Sequence, residues 1–138
     1  MRHLMAQQPS LFITQQDFDK LSKLVENTRT DTADLLADEL DRATILPQQE
    51  IPPNVVTMNS TVRFQDAATG AESEVTLVFP QDATAGRSRI SVLAPVGAAL
   101  IGLRVGDLIS WPVPNGRVRQ LKATAVLYQP EAAGDFNL

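Results

Sequence analysis

Apolar residues in this chain recur with a helical period up to Pro47 and with a period near two beyond Asn54. No single regular element satisfies both patterns, because a helix buries every third or fourth side chain and a strand every second. The change falls on PQQEIPPN, residues 47–54, where Pro52 and Pro53 favour extended backbone and stop a helix. The spacing therefore predicts a helical unit over 1–46, a linker over 47–54 and a sheet-containing unit over 55–138.

Before the linker, Thr14 is a suitable N-cap, with Asp17 in the first turn and Ile13 and Phe18 placed as a hydrophobic staple. Phe18, Leu21 and Val25 then form one apolar seam. Asn27, Thr28 and Thr30 interrupt it, and Asp31 or Thr32 is positioned to cap a second helix with its own seam at Ala33, Leu36, Leu40 and Ala43, running on to Pro47. Two single-seam helices joined by a short loop predict an antiparallel helical hairpin, a short coiled coil. Each arm of about 12 residues spans roughly 18 Å.

After the linker, TVRFQDA, AESEVTLVFP, RISVLAP, DLISWPV and RVRQLKATAVLY read as strands. Asn115-Gly116 signals a hairpin between the last two. PVGAALIG is apolar and short enough for one buried helix. The expectation is an α+β chain whose second unit is an antiparallel sheet of four to six strands around that helix.

Composition narrows the chemistry. With 43% apolar and 20% charged residues the chain suits a globular fold, and no stretch nears the length of a membrane span. The absence of cysteine excludes disulfides, thiolate catalysis and cysteine zinc sites, and suits a reducing, cytoplasmic compartment. MRHLMAQQPS lacks the apolar core of a secretory signal. A sole histidine, His3, rules out a histidine triad or multi-histidine metal site, and Ser60, Ser91 and Ser110 have no evident base. No catalytic residue, metal or cofactor is expected.

Charge points to the kind of partner. Residues 1–50 carry nine acidic and five basic side chains, whereas residues 51–138 carry seven of each, so the net charge of −4 belongs to the helical part. No basic cluster suggests nucleic acid; a protein partner fits better. Asp31, Asp34, Asp38 and Asp41 recur on the side of the second helix opposite its seam. Like charges so spaced cost a few tenths of a kcal/mol per pair, so the stripe is either an ordinary solvated face or one held for a basic partner surface. A divalent-metal site there is disfavoured, since turns of one straight helix do not wrap an ion.

The densest backbone punctuation is APVGAALIGLRVGDLISWPVPNG, residues 94–116. This stretch resembles the signature of the bacterial Gre-factor family, with Pro95, Gly97, Ala99, Leu100, Gly102, Gly106 and Asp107 in register and Ala94, Val96 and Ile101 as replacements. DELDRA, VTMNSTVRF and YQPEAAGDFNL extend the similarity to a short branch of that superfamily, over nearly all of residues 11–138. The resemblance implies an FKBP-like C-terminal domain facing the rim of the RNA polymerase secondary channel. Ala94, Pro95, Val96 and Gly97 then become contact candidates, although Gly97 and Gly102 also suit close packing and Asp107 a turn.

Gre factors carry a long coiled coil whose acidic tip helps to hold the catalytic magnesium of the polymerase. The tip here, ENTRTD, surrounds Arg29 with Glu26 and Asp31, on arms too short to deliver a carboxylate. The resemblance therefore implies a non-enzymatic, monomeric polymerase binder that competes with Gre factors without stimulating transcript cleavage. The alternatives are an FKBP-type prolyl isomerase, with Trp111 flooring a pocket, or an interaction module with another client.

Overall fold

Thr14 sets the start of the first helix: its hydroxyl accepts from the Asp17 N–H at 3.1 Å. In the computed structural model, which describes residues 10–83, 88–112 and 117–136, helix α1 (Gln15–Glu26) and helix α2 (Asp31–Arg42) have twelve residues each and pack together. Thr30, rather than Asp31 or Thr32, caps α2, accepting from the Ala33 N–H at 3.0 Å. Asn27 and Thr28 close α1 by turning their side chains back onto the Lys23 and Leu24 carbonyls.

The second helix does not run to Pro47. It ends at Arg42, and Thr44–Leu46 forms strand β2, parallel to strand β1, Phe12–Thr14. Both triplets, FIT and TIL, contain β-branched residues that suit extended backbone, and they close the base of the hairpin from both sides. That base is tied to the rest of the chain, since the Phe12 N–H donates to the Gly102 carbonyl at 3.2 Å and the Gly102 N–H to the Val56 carbonyl at 2.8 Å. Gly102, at φ +80°, adopts a conformation that L side chains resist.

The remaining strands are β3 (Thr61–Asp66), β4 (Glu72–Val78), β5 (Arg89–Ser91), β6 (Leu108–Pro112) and β7 (Val118–Tyr128), in the sheet order β5-β4-β3-β7-β6. This sheet is mixed rather than antiparallel throughout: β5 lies parallel to β4, with Leu77 opposite Ile90. The chain leaves β4 through a 3₁₀ turn at Pro80–Asp82 and returns to the same edge, so a parallel pairing replaces a hairpin. The hairpin signal at Asn115-Gly116 lies outside the described residues; the strands flanking it, β6 and β7, do pair antiparallel.

Helix α3 (Pro95–Leu100) packs against β5, β6 and α2. Leu11, Ile13, Leu21, Leu36 and Leu40 from the hairpin join Met58, Leu77, Leu100, Ile109, Trp111 and Leu121 in one buried cluster. The Pro-rich stretch takes part as well, with Ile51 buried and the Pro52 carbonyl accepting from Gln129. A last short helix, α4 (Pro130–Ala133), follows Gln129, whose side chain caps it and also donates to the Val55 carbonyl at 2.8 Å.

Candidate functional site

Segment 91–107 is built around one carbonyl. The Ser91 C=O accepts from the Ala94 N–H at 2.9 Å, and Gly97 packs directly against it: a Cβ on Gly97 would stand 2.0 Å from that oxygen. Ala94 is the N-cap residue of α3 and Pro95 its first helical position, which proline favours. Ala94, Pro95 and Val96 are half-buried and reach the surface, while Gly97 through Leu100 are buried. Of the four sequence-derived contact candidates, three are therefore part-exposed, with Val96 also packing on the core, and Gly97 is buried beside them. Asp107 closes the following turn by accepting from the Arg104 N–H at 3.3 Å.

Asp31, Asp34, Asp38 and Asp41 are all exposed along α2. The opposite face of the same helix buries Ala33, Leu36 and Leu40, and that helix packs on α3. The helix that carries the acidic stripe thus packs directly on the helix that begins at Pro95. At the hairpin tip, Glu26, Arg29, Asp31 and Asp34 border a depression of about 440 Å³.

Two further carboxylates are buried, and the sequence reading missed both. Asp17, 8% exposed, accepts from the Met58 N–H at 3.1 Å, bridging α1 to the chain entering β3. Burial pushes its carboxyl up to about 6; the Met58 N–H and Lys20 oppose the rise, and the nearby Glu131 carboxylate adds to it. Glu131, on α4, accepts from the Thr57 hydroxyl at 2.7 Å, and Thr57 also bonds Ser60. Glu39 is fully buried on α2 and paired with Arg42 at 2.5 Å, and burial again raises its carboxyl, offset by the arginine. The available signal for Glu39 was its position between Leu36 and Leu40, which a deeply seated helix also buries.

The three serines singled out by the sequence are engaged in structural hydrogen bonds. Ser60 is spent on Thr57, and Ser91 accepts from the Leu93 N–H. Ser110 accepts from Gln120. Trp111 is 1% exposed and packs within the core cluster. Among the described residues no three acidic or histidine side chains form a metal-binding group, and no helix is long and apolar enough to cross a membrane.

The comparisons agree with this architecture. Residues 49–128 match the family model described as "Transcription elongation factor, GreA/GreB, C-term", and residues 9–46 match "Rnk N-terminus". The chain is similar to the regulator of nucleoside diphosphate kinase of Escherichia coli (strain K12), at 44% identity over 94% of this chain and 98% of that protein. It is 37% identical to the transcription inhibitor protein Gfh1 of Thermus aquaticus, over 67% of this chain and 59% of that one. Among solved structures, the "Prokaryotic transcription elongation factor GreA/GreB from Nitrosomonas europaea" superposes with a TM-score of 0.72 at 44% identity, covering 88% of this chain and all of that one (100%). With a Gre-type domain, a hairpin of the Rnk type and near full-length similarity to such a regulator, the chain belongs to the GreA/GreB family, in the branch of the regulators of nucleoside diphosphate kinase.

Proposed function

We propose that this protein is a non-enzymatic regulator of transcription that binds RNA polymerase at its secondary channel and excludes Gre factors from it. The observation that carries the reading is the pairing of a Gre-type domain with a hairpin of only twelve-residue arms. At about 1.5 Å per residue such arms reach roughly 18 Å, enough to occupy a channel mouth but not to present a carboxylate deep inside it. Residues 55–138 dock at the rim through Ala94, Pro95 and Val96, seated by Gly97, while the Asp31, Asp34, Asp38 and Asp41 stripe faces the entrance. Any influence on nucleoside diphosphate kinase then runs through transcription.

The test is direct binding to core polymerase together with a transcript-cleavage assay. The reading expects micromolar or tighter binding, weakened by Pro95→Ala, and no polymerase-dependent RNA cleavage above background. Cleavage stimulated by this chain, or no binding at all, overturns it.

A further inference from the structure

A groove of about 590 Å³ runs between α1 and the turn that follows β4. Its size is that of a site for one small ligand. The α1 wall supplies two cations and an apolar step. Lys20 and Lys23, three residues apart, are neighbours on the helix surface, and Leu24 lies beside them. Lys20 holds its ammonium 5.8 Å from the centroid of the half-buried Phe79 ring, which lines the groove on the other wall.

Polar ends converge on this space without being used by the fold. Among the described residues, the Lys23 ammonium and the side-chain amides of Asn59 and Gln81 have no intramolecular partner, and all three border the groove. Asn59 is held in place by its own backbone, which adopts φ 68° and donates to the Leu77 carbonyl at 2.6 Å. Asn27 donates its amide hydrogen to the Lys23 carbonyl, which leaves its oxygen as an acceptor. Asp82 closes the second wall with a carboxylate.

Lys20 and Lys23 project from the helix wall, with Lys20 reaching over Phe79, and Asp82 stands on the turn, where the Arg89 guanidinium donates to its backbone carbonyl at 3.3 Å. A uniformly acidic segment would meet Asp82 unfavourably. A molecule with an anionic group at one end, a planar apolar body and an N–H donor at the other satisfies every wall. We propose that this groove binds a phosphorylated heteroaromatic of mononucleotide size. Its phosphate lies against Lys20 and Lys23, its ring against Leu24 and the Phe79 edge, and its exocyclic amine and ring nitrogens against Asp82, Asn59 and Gln81.

The experiment is an NMR titration of the full ¹⁵N-labelled chain with AMP, adenosine and inorganic phosphate in separate arms. It contains no polymerase, so its failure is distinct from failure of the transcription reading. AMP is expected to shift the amides of Leu24, Asn27, Asn59 and Phe79 saturably with a Kd below about 1 mM, and adenosine and phosphate to bind about tenfold more weakly or worse. Lys23→Ala, at an exposed and unpaired position, should weaken AMP about fivefold or more. Asn59→Gly, which keeps the backbone conformation, should weaken AMP while leaving phosphate unchanged. An absence of saturable shifts, AMP affinity unmoved by Lys23→Ala, or phosphate matching AMP (an adventitious anion only) overturns the proposal. Adenosine matching AMP overturns it equally.

Discussion

The Asp17 carboxylate accepts the Met58 N–H at 3.1 Å, so one buried acid ties the first helix to the chain entering β3. Its folded-state value of about 6 lies above the ordinary 3.8, because burial disfavours the charge more than Met58 and Lys20 favour it. A raised carboxyl contributes stability that is complete below the unfolded value and is lost as pH rises through the folded one. From pH 4 to pH 7 the site should therefore cost on the order of 3 kcal/mol. Asp17→Asn keeps an oxygen for Met58 and has nothing to titrate. Urea denaturation at pH 5 and pH 7.5 should show the wild type losing more stability than the variant, and parallel losses would contradict this.

Gly97 and Ser91 supply a second test. A methyl group 2.0 Å from the Ser91 oxygen cannot be accommodated without moving α3 off β5. Gly97→Ala should cost about 2–3 kcal/mol by chemical denaturation, even though alanine is the better helix former. A loss within about 0.5 kcal/mol would mean that the close approach is relieved cheaply.

Thr30 and Thr32 separate the observed helix start from the one expected by pattern. Only the Thr30 hydroxyl accepts from a helix N–H, that of Ala33. Thr30→Ala should lower stability by about 1 kcal/mol, and Thr32→Ala should be near neutral, as thermal unfolding of both variants would report.

Much of this was readable in advance, and the misses share a cause. The long elements carry their period in many residues: Leu21, Leu36 and Leu40 on one helix face each, and Val62 and Phe64 on one sheet face, are all buried where the spacing puts them. Phe12–Thr14 and Thr44–Leu46 are three residues each, too short to display a period, and their pairing joins positions some thirty residues apart. The parallel register of β5 likewise depends on how the chain crosses the sheet edge, which no local pattern encodes. Buried Asp17 and Glu39 defeat reading by residue type, because only the finished fold reveals that a backbone N–H and an arginine compensate them. The acidic stripe was visible at once because exposure and helical spacing are both local.

That stripe carries a functional expectation separable from folding. Asp31, Asp34, Asp38 and Asp41 are exposed, and like charges so spaced repel, so replacing all four by Asn should leave stability unchanged or slightly raised. If the stripe faces a basic rim, polymerase binding should weaken, chiefly through slower association, and become less sensitive to salt. Association kinetics at low and high ionic strength read both effects. An unchanged rate and salt slope would return the stripe to an ordinary solvated face.

The most direct measurement of the central claim is a displacement titration. A labelled Gre factor bound to core polymerase is titrated with this protein, and Pro95→Ala is run alongside. Competitive occupation predicts complete release of the Gre factor, with the variant requiring a higher concentration for the same effect. Simultaneous binding of both proteins, or no release at saturation, would contradict a shared secondary-channel site.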